Sequence, residues 1–209
     1  ARPALDAVEP LARTFSEAGH RLFLVGGVVR DLLAARPVEE HNDLDLTTDA
    51  TPDRIKALVE PEASALWTQG ERFGTIGCTI GGQDFEITTH RAEAYSPESR
   101  KPEVRFSTEI DADLSRRDFT INAMALEVTS GAPTLIDPFD GLADLQAQVL
   151  RTPIAPQESF SDDPLRMMRA ARFIASFELE PVPELVDAVQ AMAERLEIVS
   201  PERIRDELC

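Results

Sequence analysis

The chain has 209 residues, of which 43% are hydrophobic and 28% charged, as in an ordinary globular protein. No apolar run approaches the roughly 18 residues that a membrane span needs, and two cysteines, Cys78 and Cys209, are too few for a disulfide framework. We therefore expect a cytoplasmic protein with no membrane partner. The formal net charge of −17 argues against a protein that holds nucleic acid through a general basic surface.

The N-terminal part predicts a helix, a buried strand and a tight turn. Residues 3–18 place apolar side chains at helical spacing, and the apolar run Leu22–Val25 is typical of a buried strand. Gly26 and Gly27 predict a turn into a second helix, which carries Arg30. A turn without side chains lets a phosphate approach the backbone N–H groups at a helix start.

A pair of aspartates follows on a predicted strand. Residues 42–47 alternate polar and apolar, so Asp43 and Asp45 would point to one face. Mg²⁺ prefers such carboxylate oxygens and completes its shell with substrate phosphates. A simple turn and a solvated strand edge explain the glycine pair and the aspartate pair separately. Their order along the chain favours a combined nucleotide and metal site.

The next segment predicts a helix over 51–59 and then a hairpin. Residues 74–80 and 84–89 read as strands joined by Gly81 and Gly82. Glu86 is a candidate third carboxylate if its strand neighbours the aspartate strand, although a solvent-facing glutamate explains it equally well. Residues 91–107 have no clear period and predict a long loop.

Residues 109–126 predict a mainly helical segment with a polar cluster. Asp118 and Asn122 would share one helix face. A carboxylate and an amide there can hydrogen-bond a ribose hydroxyl, while Arg116 or Arg117 meets a phosphate. A capped, salt-bridged helix is the plainer alternative.

The C-terminal part predicts mostly helices. Residues 142–151 suggest a short helix and a strand, and from about Gln157 the chain is predicted to be helical throughout. Ser161 is the predicted cap of a helix that carries Arg166, Arg169 and Arg172 on one broad side. Arg169 is a candidate nucleotide-binding residue.

Asp163 and Arg166 suggest recognition of a base. They are three residues apart at a predicted helix start, so their side chains would lie together. A carboxylate only accepts hydrogen bonds and a guanidinium only donates them. The pair matches the edge shared by cytosine and adenine, an exocyclic amine beside a bare ring nitrogen. A local salt bridge that also caps the helix is the plainer alternative.

Several stretches together resemble one family. The stretches, in chain order, are LVGGVVRD, DLDLTT, FEITTHR, RRDFTINAMA, DPFDGLADL, DDPLRMMRAARF and SPERIRDEL. Over about residues 22–208 the chain resembles the bacterial and eukaryotic tRNA nucleotidyltransferases, the CCA-adding enzymes, and their relatives the bacterial poly(A) polymerases. One departure is Asp162-Asp163, where the family's base-recognition motif usually opens Glu-Asp.

The resemblance implies an α+β fold. A polymerase-beta-type nucleotidyltransferase head, a mixed sheet with flanking helices, would span 1–137, and an all-α neck would span 138–209. The further helical domains of family members that grip tRNA are absent from this chain, and the motif at 202–205 would help hold the neck in place.

The resemblance also implies roles for individual residues. Asp43 and Asp45 would hold two Mg²⁺ ions, with Glu86 as a candidate third catalytic carboxylate. The residues implied in nucleotide binding are Gly26, Gly27 and Arg30 at the triphosphate, Arg117, Asp118 and Asn122 near the ribose and phosphates, and Asp163 and Arg166 at the base.

The implied reaction is template-independent addition of CMP and AMP, from CTP and ATP, to the 3′ end of tRNA. A poly(A) polymerase and a CC-only or A-only enzyme are the alternatives within the family. A non-catalytic nucleotide-binding module is the alternative from another class. The sequence leaves the oligomeric state open.

Overall fold

The computed structural model describes residues 2–36, 43–94 and 103–208. The chain divides into two compact units. The first unit comprises Ala1–Leu114 and Met124–Pro138, and the second comprises Ser115–Ala123 and Phe139–Cys209. Residues 115–123 of the second unit therefore interrupt the first unit in sequence, and the rest of the second unit follows the first. The head and neck boundary at 137/138 stays a prediction.

The first unit is built on a mixed sheet, in which the described residues form seven strands. In chain order they are β1 (Leu22–Val25), β2 (Leu44–Thr48), β3 (Ala65–Trp67), β4 (Thr75–Ile80), β5 (Gln83–Thr89), β8 (Ala125–Glu127) and β9 (Thr134–Ile136). Their spatial order is β3-β4-β5-β2-β1-β8-β9. Only β2 and β5 pair in parallel among these strands. Every residue of β1 is buried, as its apolar run predicts.

Among the residues that the structure describes, four α-helices precede or connect the strands of this sheet. They are α1 (Arg2–Glu17), α2 (Gly27–Leu33), α3 (Pro52–Val59) and α4 (Ile110–Ser115). The start of α3 confirms its prediction, since the Thr51 hydroxyl accepts a hydrogen bond from the Arg54 amide and Pro52 occupies the first turn. Phe15 of α1 and Phe23 of β1 are fully buried and contribute to the core.

The predicted loop over 91–107 is wrong in part. Its two ends form an antiparallel ribbon of β6 (Arg91–Ala94) and β7 (Glu103–Phe106), with Arg91 opposite Phe106. The pairing partners are 9 to 15 residues apart in sequence, and the residues between them carry no two-residue turn signal that would predict a hairpin. Residues 95–102 of the predicted loop lie outside the described residues.

The second unit is mainly helical. Its helices are α5 (Gly141–Ala147), α6 (Pro156–Asp162), α7 (Leu165–Phe177), α8 (Pro183–Met192) and α9 (Pro201–Leu208), with 3-10 turns at Thr120–Asn122 and Ala193–Ile198. Two short strands, β10 (Val149–Leu150) and β11 (Glu180–Pro181), pair in parallel. The core includes Phe119, Phe160 and Phe173. Most of this unit confirms the helical prediction, and β11 is the exception.

Two further local predictions are wrong. Residues 109–126 are not one helix, because α4 ends at Ser115 and a turn separates it from Thr120–Asn122 and β8. Ser161 does not cap a helix, since α6 continues to Asp162. The Asp163 carboxylate instead accepts a hydrogen bond from the Leu165 amide at the start of α7, at 3.1 Å.

Among the described residues, no helix combines the length and apolar character required to cross a membrane. Cys78 lies on β4 as a free, buried thiol. Burial, with a smaller contribution from the charge of Asp84, raises the pKa of the Cys78 thiol to about 11.

Candidate functional site

The three predicted carboxylates of the first unit lie at neighbouring positions. Strands β2 and β5 pair so that Asp45 stands directly beside Glu86. Asp43 lies two residues before Asp45, and both aspartates are exposed while Leu44 between them is buried. Because side chains two apart on a strand share a face, the sheet presents Asp43, Asp45 and Glu86 on one side. Glu86 was a candidate only if its strand lay next to the strand of the aspartates, and β5 does pair with β2.

The charge environment of Glu86 reflects this neighbourhood. Burial raises the pKa of Glu86 above its usual value, and the negative charges of Asp45 and Asp43 raise it further. The three carboxylates are thus close enough to repel one another when all are charged. A divalent cation would relieve this repulsion, so the donor set fits a hard ion with oxygen ligands.

Among the described residues, the carboxylate side chains do not form a complete metal-binding site. Within residues 2–36, 43–94 and 103–208, no group of three or more His, Cys, Asp or Glu side chains converges closely enough to hold a metal ion. The assignment of Mg²⁺ to Asp43 and Asp45 stays a prediction that the charge pattern supports.

A cavity adjoins the aspartates. It has a volume of about 310 Å³ and is lined by Gly27, Val28, Arg30, Asp31, Asp43, Leu44 and Asp45. The structure thus brings the glycine turn and the aspartate pair to one cavity, as the strand, turn, helix, strand order predicts. Asp31 and Val28 are lining residues that the sequence analysis did not select.

The glycine turn has a conformation that side chains disfavour. Gly26 has φ of 74°, a value that residues with a Cβ rarely adopt. Gly27 follows at the start of α2, and a Cβ there would lie 3.4 Å from Nη2 of Arg30. The backbone at this wall of the cavity is therefore free of side chains.

Arg30 is buried, with 8% of its surface exposed. Its Nε donates to Oδ1 of Asp31 at 2.9 Å, and its Nη2 donates to Oδ2 at 3.1 Å. Two bonds in parallel hold the guanidinium in one orientation at the cavity wall. Contact of Arg30 with a triphosphate stays a prediction.

The second unit holds the predicted ribose cluster as a hydrogen-bonded network. Oδ1 of Asp118 accepts hydrogen bonds from Nδ2 of Asn122 at 3.0 Å and from the Phe119 amide at 2.8 Å. Oδ2 of the same carboxylate accepts from Nε and Nη2 of Arg169, at 3.0 and 2.7 Å. Asp118 and Asn122 are buried, and Arg117 is half-buried in the turn after α4. Asp118 and Asn122 meet as predicted, although a turn rather than a helix joins them.

Arg169 belongs to a larger ionic cluster. Its Nη1 pairs with Glu207 at 3.2 Å, and Glu207 also pairs with Arg172 at 2.7 Å. Burial alone would lower the pKa of Arg169, but the charges and hydrogen bonds of Asp118 and Glu207 raise it above its usual value. Arg169 therefore stays charged and ties α9 to the turn that carries Asp118. The role of Glu207 was not predicted, because 38 residues separate it from Arg169.

Asp163 and Arg166, the predicted base-recognition pair, each have other described partners. Asp163 pairs with Arg203 of α9 at 2.8 Å and caps α7. Arg166 donates to Oγ of Ser159 at 2.8 Å and to the Arg116 carbonyl oxygen. The plainer alternative is therefore correct in that Asp163 caps the helix, but the described ion partner of Asp163 is Arg203 and not Arg166. Both groups are half-buried and held in place, as base recognition requires.

Comparison with known proteins places this arrangement in a family. Residues 22–151 match the model of the poly(A) polymerase head domain. Residues 176–209 match a model described as a probable RNA and SrmB-binding site of polymerase A. The first of these matches covers more than half of the chain.

Relatives of known name are CCA-adding enzymes. That of Lactobacillus helveticus is 39% identical over 199 residues, which cover 95% of this chain and 47% of the relative. That of Bacillus subtilis is 36% identical over 195 residues, covering 93% of this chain and 47% of the relative. The chain thus spans about half the length of the curated relatives it matches.

Solved structures agree with the sequence relatives. A crystal structure of the Bacillus stearothermophilus CCA-adding enzyme in complex with CTP matches with a TM-score of 0.85 and 31% identity, over 100% of this chain and 48% of that one. A complex of a CCA-adding enzyme with ATP matches with a TM-score of 0.81 and 30% identity, over 100% and 46% of the two chains. The mixed sheet and the helical unit are those of these enzymes, and the chain belongs to the poly(A) polymerase head-domain family.

Proposed function

We propose that this chain carries the nucleotidyl-transfer and nucleotide-selection parts of a CCA-adding enzyme. The observation that supports this most strongly is the row of Asp43, Asp45 and Glu86 on adjacent parallel strands beside a cavity. The relatives of known name and the solved complexes with CTP and ATP support the choice of reaction. The substrates would be CTP, ATP and the 3′ end of tRNA.

The reaction would be an attack of an RNA 3′-hydroxyl oxygen on the α-phosphorus of CTP or ATP. A new P–O bond forms while the hydroxyl O–H bond breaks and its proton passes to solvent. The bond from the α-phosphorus to the oxygen that bridges to the β-phosphate breaks, and pyrophosphate leaves with that oxygen. Asp43 and Asp45 would hold Mg²⁺, which when bound lowers the pKa of an attacking hydroxyl and stabilises the charge of the leaving oxygen. Arg30, fixed by Asp31, would neutralise triphosphate oxygens at the cavity wall.

The second unit would select the base. Asp163 would accept a hydrogen bond from the exocyclic amine of cytosine or adenine, and Arg166 would donate one to the adjacent ring nitrogen. The contacts of Asp163 with Arg203 and of Arg166 with Ser159 support this role, because they fix both groups before a nucleotide binds. Asp118, Asn122 and Arg117 remain candidates for the ribose and phosphates, and Arg169 would act by holding Asp118.

Product sequencing tests the proposal. The chain is incubated with Mg²⁺, all four nucleoside triphosphates and a tRNA that lacks its 3′ end, and the product ends are sequenced. We expect addition that stops at CCA, and none from Asp45→Asn, which keeps the size of the side chain and removes its charge. Asp206→Asn, an exposed position on α9, is the matched control and should retain wild-type activity.

The other outcomes separate the alternatives. Runs of A would indicate a poly(A) polymerase, and addition of C alone or A alone would indicate an enzyme of narrower specificity. Preferential binding of CTP and ATP over UTP and GTP without any addition would indicate a nucleotide-binding module. Equal activity of Asp45→Asn and wild type would contradict the catalytic assignment. The cytoplasmic location stays a prediction.

A further inference from the structure

A second cavity lies on the other side of the carboxylate row. It has a volume of about 350 Å³, within the range of about 300–1,000 Å³ that small-molecule sites have. Its walls include Trp67, Phe73, Thr75, Gly77, Glu86 and Arg91. All of these residues belong to the first unit. Glu86 lines this cavity, and its neighbour Asp45 lines the first one.

The pairing of four strands places this cavity in line with the aspartates. Trp67 of β3 stands opposite Gly77 of β4, Gly77 opposite Glu86 of β5, and Glu86 beside Asp45 of β2. Residues in one such row share a face of the sheet. The row therefore consists of Trp67, Gly77, Glu86 and Asp45, in that order across the sheet. Its last member, Asp45, also lines the cavity of Gly27 and Arg30.

Gly77 makes room for the indole. A Cβ built at Gly77 would collide with the indole ring of Trp67, Nε1 and Cε2 included. The ring thus lies directly over the glycine and forms part of the cavity wall. A glycine inside a strand often marks the close approach of another group.

Aromatic surface is exposed around this cavity. Phe73 is 41% exposed and Phe106 is 49% exposed, although large apolar side chains are usually buried. The Phe106 ring lies over Gly74, where a Cβ would be 2.6 Å from Cε1 of Phe106. The Arg72 guanidinium lies over the Phe73 ring, 4.5 Å from its centroid, and Arg91 lines the same cavity. Proteins use aromatic and guanidinium side chains together to stack bases and hold phosphates of single-stranded RNA.

We infer that this second cavity binds the 3′-terminal nucleotide of the acceptor RNA, with its base on Trp67 and its hydroxyl toward Glu86. The inference rests on the proposed function. In-line transfer needs the attacking and leaving oxygens on opposite sides of the α-phosphorus. With the triphosphate in the cavity of Gly27 and Arg30, the attacking hydroxyl comes from the cavity of Trp67. Stacking tolerates any base, which suits an acceptor whose last base changes with each addition.

Trp67 is the single tryptophan of the chain, so its fluorescence reports on the cavity directly. We expect a short single-stranded RNA with a free 3′-hydroxyl to quench this fluorescence in the wild-type chain, because the base stacks on the indole. CTP alone should leave it almost unchanged. Absence of quenching by the RNA, or equal quenching by CTP, would overturn the assignment.

Kinetics provide the second measurement. Trp67→Ala should raise the acceptor KM about tenfold, the loss expected for one stacked base, and leave the KM for CTP within about twofold. Gly77→Ala should act in the same direction, because its Cβ displaces the indole, and Trp67→Phe should restore most of the affinity. Leu66→Ala, at an exposed position of the same strand, is the control and should change neither constant.

The outcomes distinguish this inference from the proposed function. Transfer with an unchanged acceptor KM in Trp67→Ala would overturn the cavity assignment and leave the function standing. Quenching by RNA in a chain that transfers no nucleotide would support RNA binding in this cavity and would argue against the proposed nucleotidyl transfer. Trp67→Ala and Gly77→Ala variants with equal KM increases for acceptor and CTP would show a general disturbance and would also overturn the assignment.

Discussion

Glu86 gives the metal-free protein a specific pH dependence. The pKa of Glu86 lies above its usual 4.5 in the folded state, first through burial and then through the charges of Asp45 and Asp43. The folded state therefore binds this proton more tightly than the unfolded state does. Stability is lost as pH rises from the unfolded pKa through the raised folded pKa, and the penalty persists above it.

Glu86→Gln removes this penalty, so the variant should unfold at a higher temperature than wild type in EDTA at about pH 8. The difference should shrink as pH falls towards about 4, where the wild-type carboxyl is protonated. Thermal unfolding across this range measures it, with the exposed Glu197→Gln as the control. A difference that is independent of pH, or a Glu86→Gln variant less stable throughout, would contradict this explanation.

Residues of the candidate site are predictable from sequence where their chemistry depends on local spacing. Alternation along one strand predicts Asp43 and Asp45, and the cavity that they share with Gly27 and Arg30 supports that prediction. Glu86 is predictable only conditionally, because its relation to Asp45 depends on a strand pairing across about forty residues. The partners of Asp163 and Arg169 on α9 arise from tertiary packing that spacing does not encode.

Secondary-structure elements were predicted well where one segment determines its own conformation. The strand at Leu22–Val25, the glycine hairpin between β4 and β5 and the capped start of α3 follow from local pattern. The ribbon of β6 and β7 was missed because its polar strands pair only with each other. The helix predicted over 109–126 is interrupted because Phe119 and Asp118 have partners in the second unit, Phe173 and Arg169.

The turn after α4 should depend on the ion pair between Asp118 and Arg169, which is the charged part of the network there. Asp118→Asn removes the charge that holds Arg169, and removing one partner of a buried pair typically costs about 3–5 kcal/mol. Because a third of the Arg169 side chain is exposed and Glu207 remains as a partner, we expect a loss of about 2 kcal/mol in the free energy of unfolding. Denaturant unfolding measures this loss.

Asp206→Asn is the matched control for this substitution. Asp206 forms an exposed pair with the adjacent Arg205, and such pairs contribute about 0–1 kcal/mol. A loss in Asp118→Asn no larger than that of the control would show that the network does not stabilise the turn.

At the scale of the whole molecule, the dominant property is a formal net charge of −17. Like charges repel throughout the folded chain, and salt screens them over a Debye length of about 10 Å at 0.1 M. Raising NaCl from about 20 mM to about 200 mM should therefore increase the unfolding temperature by about 2–4 °C, equivalent to about 1 kcal/mol. The same change near pH 5, close to the isoelectric point of about 4.5, should have a smaller effect. A fall in unfolding temperature with salt would show that ion pairs outweigh the repulsion.

Strand β4 presents two different chemical groups on its opposite faces. Gly77 lies under the indole of Trp67, and the adjacent Cys78 is a buried thiol whose pKa is raised to about 11 by burial. A thiol reagent would reach Cys78 only when the first unit opens, once Cys209 has been replaced by serine. The neighbouring strands β3 and β4 thus carry a fluorescent side chain, Trp67, whose emission would report ligand in the adjacent cavity, and a thiol, Cys78, whose rate of labelling would report opening. Binding to this sheet and its unfolding could therefore be followed in one sample.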